Sequence, residues 1–359
     1  ASASQTLAIK QSGYTGPVTI TAPAGYEIST DGSTFSSSLT VRRPAGTIQS
    51  VYDGDFDTAT GLIWSMGSGR QFPNSSAFAA LKSDGSVVTW GDEYGGGDSS
   101  SVADQLDSEV SAIYSNESSF AALKNDGSVV TWGSWETGGN VDSGVVEVYS
   151  TSSAYAALKS DGSVVTWGVN NNGGDSSAVA DKLNSGVRAI RSNGAAFAAI
   201  KLDGSVVTWG IGSLGGDSTG VAVSLASGVT AVYSNEEGFA AVKSNGSVVT
   251  WGDASYGSDS PSVAGKMSSG ILSVQGTVSA FAAVKNDGSV VTWGNPYTGG
   301  MPNVYDRWGG TLASVAADLT SGVSRIYSNE SCFAALKENG SVVTWGYFID
   351  GGDSSSVSA

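Results

Sequence analysis

From residue 77 onward the chain repeats one pattern of apolar and polar positions. A short apolar arm close to Phe-Ala-Ala-Leu-Lys is followed by Ser-Asp-Gly-Ser and then by Val-Val-Thr-Trp-Gly. The phrase occurs seven times, with its tryptophans at Trp90, Trp132, Trp167, Trp209, Trp251, Trp293 and Trp345. Their spacings are 42, 35, 42, 42, 42 and 52 residues. Each phrase predicts a β-hairpin. In the first copy the arms are Ala77–Lys82 and Ser86–Gly91, and the turn centres on Asp84-Gly85. Asp-Gly favours a type I′ turn, and the two variants Asn245-Gly246 and Asn339-Gly340 suit the same backbone. Both faces of the arms are apolar, so each hairpin is expected to be covered on both sides.

A third strand is predicted before each hairpin, as in Val110–Tyr114, Val187–Arg191 and Val323–Tyr327. Between Trp-Gly and that strand runs Gly-Gly-Asp-Ser-Ser and then Val-Ala-x-x-Leu, which reads equally as a fourth strand or a helical turn. A 42-residue unit of three or four short strands matches one blade of a β-propeller. The fold expected is all-β: a seven-bladed β-propeller over 45–359 with a short N-terminal β-rich extension, 1–44. The last unit stops before its next strand. The segments Ala45–Tyr52 and Gly61–Met66 are the candidates to complete a blade shared by both termini and so remove two exposed edges.

The phrase x-Ala-Leu-Lys, Asp-Gly-x-Val, Trp-Gly resembles the repeat of the regulator-of-chromosome-condensation family. Bacterial-type members of that family include a propeller-type β-lactamase inhibitory protein, to which the phrase is similar. The resemblance implies a seven-bladed propeller. It departs from the family at two places. The usual histidine of the first arm is replaced by Ala77, Ser119, Ala154, Ala196, Gly238, Ala280 and Cys332, and the usual Gly-Gln-Leu-Gly loop is replaced by Gly-Gly-Asp-Ser.

The N-terminal residues alternate short β-like runs with turn residues: Gln5–Lys10, Pro17–Ala22, Tyr26–Thr30 and Ser38–Arg42. The stretch Gly16–Thr30 resembles an Ig-like repeat of bacterial surface proteins, with about half a module present. So short a segment rarely folds alone. The options are docking on the propeller, strand donation to another copy to build a homo-oligomer or fibre, or a truncated, disordered piece. The chain opens Ala1-Ser2-Ala3-Ser4 without Met or a signal-type apolar segment, which reads as a processed form or an excised fragment.

Composition narrows the chemistry. The chain has 359 residues, 33 acids against 17 bases, no histidine and one cysteine. A net charge of -16 disfavours nucleic acid and anionic membranes as partners. No apolar run suffices for membrane insertion. Without histidine, Ser-His-Asp and Cys-His catalysis and ordinary zinc sites are excluded. One cysteine excludes an intrachain disulfide, and Cys332 lacks a nearby base, which predicts an inert thiol. The expectation is a protein with no enzymatic activity, no catalytic residues and no cofactor. Calcium enters only as a weak option, at the acidic Gly-rich loops around Asp92, Asp98, Asp175, Asp253 and Asp259. The seven tryptophans and their in-register partners Phe78, Phe120, Tyr155, Phe197, Phe239, Phe281 and Phe333 read as blade core, and the seven hairpin lysines as a solvated end.

Differences between the copies gather just after Trp-Gly. These loops should converge on one end of the ring, and they carry aromatics suited to interfaces. The partner-binding candidates are Tyr94, Trp135, Tyr256, Tyr347 and Phe348. To these the ten-residue insertion of the longest spacing adds Tyr297, Met301, Tyr305, Arg307 and Trp308. The function expected is an extracellular adhesion or recognition propeller of a cell or phage surface, binding a protein or glycan. A secreted proteinaceous enzyme inhibitor is the alternative, and a glycan-active enzyme using paired carboxylates comes third.

Overall fold

The computed structural model describes residues 18–21, 38–41, 72–134, 141–258 and 264–355. Val18–Thr21 and Ser38–Val41 form an antiparallel pair inside two of the expected β-like runs. The other N-terminal runs and both candidate closing segments, 45–52 and 61–66, lie outside the described residues.

Every repeat phrase forms its hairpin, and in all seven the Phe or Tyr of the first arm stands opposite the Trp of the second. The first sheet consists of Ala77–Leu81 and Val87–Gly91. Five three-stranded antiparallel sheets follow. They begin with inner strands Val110–Ser115, Val145–Ser150, Val187–Ser192, Val229–Ser234 and Ile271–Gly276. The seventh sheet contains Val323–Ser328, Cys332–Lys337 and Val342–Tyr347. The insertion adds two more strands to it, Asn303–Tyr305 and Thr311–Ser314. Asn303–Tyr305 runs parallel to the outer strand, Val304 beside Gly346 and Tyr305 beside Tyr347.

The hairpin turn differs from the type I′ expectation. Asp84 keeps an ordinary negative φ, and only Gly85, at φ 82°, is left-handed. Gly85 N–H bonds to Lys82 C=O at 3.0 Å and Lys82 N–H to Ser86 C=O at 2.8 Å, a type I turn closed by a glycine bulge. The reason is the Asp carboxylate. Its Oδ1 accepts from both the N–H (2.9 Å) and the hydroxyl (2.7 Å) of Ser86, which holds Asp84 on the right-handed side. The choice left open between fourth strand and helix resolves as helix. Ser177–Val179 and Ala180–Leu183 form one tight turn, repeated at Thr219–Val221 and Ala222–Leu225. Leu183 and Leu225 plug the core at 2% exposure each.

The core lies between sheets. One cluster joins Ala154, Ala156 and Leu158 of the third sheet to Phe197, Trp209, Ile190 and Leu183 of the fourth unit. Five further clusters repeat this plan along the array. Each Phe or Tyr stacks on its Trp at 5.2–5.4 Å between ring centroids. From the second sheet to the seventh, the pair lies on the small side chains of the sheet before. Burying one such Phe stabilises by roughly 1.5–3 kcal/mol before entropy. The array explains the small-residue slot: Ala154 and Ala196 are 0% exposed beneath the next unit's rings, where a histidine would not fit. The one Tyr of the set, Tyr155, confirms the rule. Its buried hydroxyl donates to Ser119 C=O at 2.9 Å, in the slot of the preceding sheet.

Successive inner strands pack side by side, and backbone bonds tie the sheets at both ends. At the turn end Val187 N–H bonds to Gly162 C=O and Val229 N–H to Gly204 C=O, both at 2.9 Å. At the opposite, loop end a collar runs from unit to unit: Ser75 N–H to Glu117 C=O, Glu117 to Ser152, Ser152 to Gly194, Gly194 to Glu236, Glu236 to Val278 and Val278 to Glu330. The architecture is an all-β propeller, with seven consecutive sheets among the described residues.

Glycine in the loop after Trp-Gly is dictated by the interface. Gly215 has φ 100°, and a Cβ there would sit 2.6 Å from Phe239 Cδ2. We expect Gly215→Ala to cost ~2 kcal/mol or more through strain and overpacking. Gly220→Ala, where a Cβ would meet nothing within 4 Å, should stay within ~0.5 kcal/mol. Denaturant melts of the two variants check this.

Candidate functional site

The loop end is built on a repeated clamp. Asn193 Oδ1 accepts from Ala195 N–H at 3.0 Å and Ala196 N–H at 2.8 Å, fixing the turn between inner and middle strands. Its Nδ2 donates to Leu214 C=O at 2.6 Å, in the loop after Trp-Gly. Asn74 and Asn329 make the same reach to Gly95 and Asp350. In two units threonine substitutes: Thr151 Oγ1 bonds Asn172 C=O at 3.0 Å, and Thr277 Oγ1 bonds Thr298 C=O at 2.9 Å. In these units one Asn or Thr side chain therefore anchors the variable loop from below.

The insertion is the most developed of these loops. Tyr305, expected among the contact residues, is instead buried at 5% exposure and forms the base. It stands edge-to-face against Tyr297 at 5.3 Å, and its hydroxyl donates to Met301 Sδ at 3.7 Å. The reason is the parallel pairing with the outer strand of the seventh sheet, which turns Tyr305 inward. Above this base Asp306 organises the tip. Its Oδ1 accepts from Trp308 N–H at 2.8 Å and Gly310 N–H at 2.7 Å. Gly309, at φ 80°, lies on the Tyr297 ring, where a Cβ would come within 2.8 Å of Cε1. The result is a tight turn that presents Trp308 at 86% exposure, with Arg307 exposed beside it. Sequence reasoning missed Asp306; its signal was Asp-x-x-Gly-Gly turn chemistry within the insertion.

The other candidates share this end without forming one cluster. Tyr94 is 72% exposed, and Tyr297 and Met301 are half exposed. Tyr256, Tyr347 and Phe348 are partly covered, the last two packed edge-to-face at 5.9 Å. Ile349, 56% exposed, was not anticipated. Trp135 and Asp259 lie outside the described residues. Acids accompany the aromatics. Burial raises the Glu237 carboxyl above the ordinary range, and the neighbouring charges of Asp253 and Glu236 add to the rise.

The calcium candidates have local duties. Asp92 Oδ1 accepts from Gly95 N–H and Asp253 Oδ1 from Ser255 N–H, at 2.9 and 2.7 Å. Asp98 and Asp175 cap the helical turns at Ser100 and Ser177, and these bonds hold both carboxyls below the usual range. Among the described residues no three acidic or thiol groups gather as a metal site. At the turn end the lysines are tethered: Lys201, Lys243 and Lys337 donate to Lys182, Ser224 and Asp318 carbonyls at 2.6 Å.

No family model matches the chain, and no curated protein matches it in sequence. Among solved structures it is similar to the ectodomain of the Physcomitrella patens receptor kinase CR4. That match has 14% identity and a TM-score of 0.39 over 78% of this chain and 72% of that one. The CRINKLY WD40 ectodomain of the Arabidopsis thaliana receptor kinase ACR4 matches with 15% identity and a TM-score of 0.38, over 76% of this chain and 93% of its own. Prp20p of Saccharomyces cerevisiae, described with its binding to Gsp1p and histones, matches with 15% identity and a TM-score of 0.40, over 77% and 70%. Likeness at this level carries nothing about function, and the propeller architecture rests on the sheets and interfaces above. Among the described residues no helix is long and apolar enough to cross a membrane.

Two predictions follow from the clamp and the slot. Asn193→Ala leaves two buried N–H groups and a carbonyl unpaired and should cost ~1–3 kcal/mol. Asn193→Thr, copying Thr151, should recover most of that in a thermal melt. The Cys332 thiol is pushed up to about 12, by burial first and the Asp350 charge second. Its folded-state contribution is whole below about pH 8.5, the free-thiol value, and fades as pH rises toward 12. Cys332→Ala, a residue already present in this slot as Ala154 and Ala196, should show a flatter loss of stability across that window in alkaline denaturant titrations.

Proposed function

We propose that the protein is a non-enzymatic recognition propeller that works outside the cell, as part of a cell or phage surface. Its loop end docks a protein partner. The observation that carries this reading is the preorganised tip at 306–310. There Asp306 holds Trp308 rigidly at 86% exposure over a buried Tyr305 base, and Tyr297 and Met301 of the same loop are half exposed, so the apolar surface is a group of side chains on one insertion rather than a lone residue. Rigid presentation lowers the ordering cost of association, and Trp and Arg are the residue types most often found as interface anchors. Tyr94, Tyr297 and Met301 extend the same end. The division of labour within each repeat supports it too: the framework hardly changes between copies while the loops change in nearly all. The acidic, histidine-free composition and the resemblance of residues 16–30 to surface Ig-like repeats support the extracellular setting.

The test uses the intact chain as bait on the surface of its source cells, with bound partner read by cross-linking and mass spectrometry. Trp308→Ala with Arg307→Ala should reduce capture at least tenfold while the melting point shifts by less than ~1 °C, as for exposed substitutions. Tyr305→Ala should instead lower the melting point, because it removes a buried base. Unchanged capture by the Trp308 and Arg307 variant would overturn the reading.

A further inference from the structure

Two of the seven hairpin turns carry an amide where the others carry a carboxylate. Asp84, Asp126, Asp161, Asp203 and Asp287 stand at one place in the turn, and Asn245 and Asn339 stand there in the fifth and seventh units. The backbone does not distinguish them. Gly246 N–H bonds to Lys243 C=O at 2.8 Å and Gly340 N–H to Lys337 C=O at 2.9 Å, as Gly85 N–H does to Lys82 C=O. Asn245 Oδ1 accepts from the N–H and the hydroxyl of Ser247 at 3.0 and 2.7 Å, and Asn339 Oδ1 accepts from those of Ser341 at the same distances. One oxygen therefore makes every side-chain bond the turn requires. The second polar atom is a carboxylate oxygen in five units. In these two it is an amide nitrogen that makes no hydrogen bond among the described residues. Both side chains are exposed.

Each of the two residues opens the triplet Asn-Gly-Ser, which has the Asn-x-Ser/Thr form of an N-glycosylation acceptor with no proline between. The chain holds five such triplets, at Asn74, Asn116, Asn245, Asn329 and Asn339. Their surroundings separate them. Asn74 is 7% exposed, and its Nδ2 donates to Gly95 C=O at 2.6 Å. Asn329 commits its Nδ2 to Asp350 C=O at 2.7 Å. Both belong to the clamp beneath the variable loops, which a sugar on that nitrogen would break. Asn116 is 0% exposed and out of reach of any enzyme. Of the five, only Asn245 and Asn339 present an uncommitted amide nitrogen on an exposed turn tip.

We propose that Asn245 and Asn339 are N-glycosylation sites. The co-substrate is a sugar activated as a pyrophosphate ester. Asn Nδ2 attacks the anomeric carbon, and the N–C bond forms as the bond from that carbon to the pyrophosphate oxygen breaks. The pyrophosphate leaves with the electron pair, and Nδ2 gives one proton to a base of the transferase. The serine two places on favours this step, because accepting two bonds at Oδ1 polarises the amide and eases loss of the Nδ2 proton. The product suits the turn, since the sugar sits on the atom the turn does not use and Oδ1 keeps both serine bonds. Room is available beside Asn339, where a Cβ on Gly340 would meet nothing within 4 Å. An N-linked sugar is bulky and solvated. Both turns lie at the end of the sheets opposite the variable loops, so the sugars shield the turn end and stay clear of Trp308.

The test uses the protein isolated from its source cells. Peptides around all five triplets are read by mass spectrometry with fragmentation that keeps the sugar on its residue. We expect sugar on Asn245 and Asn339 and bare asparagine at Asn74, Asn116 and Asn329. Bare asparagine at either turn, or sugar on any of the other three, overturns the proposal. Sugar-free aspartate at both turns, the product of spontaneous deamidation, overturns it as well. Asn245→Asp combined with Asn339→Asp installs the residue of the other five turns. Made in the same cells, this variant should keep its circular dichroism spectrum and carry no sugar by intact mass, and sugar retained on it overturns the proposal. Neither position belongs to the tip at 306–310, so partner capture stands or falls separately.

Discussion

The rest of the molecule depends on one contact: a stacked Phe and Trp from one sheet lying on the small side chains of the sheet before it. The rings are too large to be buried within a single three-stranded sheet. They can leave water only if another sheet covers them, so each unit needs its neighbour. That requirement sets the alanine run of the middle strand, the small residue at the head of that strand and the glycine whose carbonyl meets the indole N–H. It also accounts for the low charge, because the middle strands face another sheet on both sides. Where the small slot holds Ser119, the facing ring has become Tyr155 and the two bond, which shows how closely the halves of the contact constrain each other.

Because stability resides in this framework, the loops at one end are left free to differ. Their anchoring is economical. In most units one Asn or Thr fixes both the turn beneath and a carbonyl above, and Asp92, Asp98, Asp175 and Asp253 accept from backbone N–H groups of their own loops. The remaining loop positions make few structural contacts. The insertion exploits this freedom by adding a hairpin to the outer edge of the seventh sheet. It turns an otherwise open edge into support for a rigid tip.

How much of this was legible varied with the range of the interaction. The hairpins, the Phe–Trp core and the inner strands were readable, since each is a local period repeated seven times in register. The type I′ turn was misread because dipeptide preference ignores Ser86. Its N–H and hydroxyl capture the Asp84 carboxylate and hold the residue at negative φ. The Val-Ala-x-x-Leu segment was ambiguous because four residues show no period. Only the Leu183 and Leu225 plugs in the inter-sheet core make it a helical turn. Tyr305 was misplaced for a similar reason. An insertion reads as surface, and nothing local announces that its backbone pairs with residues near Tyr347, some forty positions later.

The sequence by itself determined the repeating unit, the residues that form its core, and the end at which variation collects, all of which are written in short-range spacing. The tertiary structure decided which aromatics are buried and which are offered. It also decided why the slots must be small and which faces remain uncovered. Those properties belong to contacts between units, where burial is set by the neighbouring sheet rather than by the residues on either side in the chain.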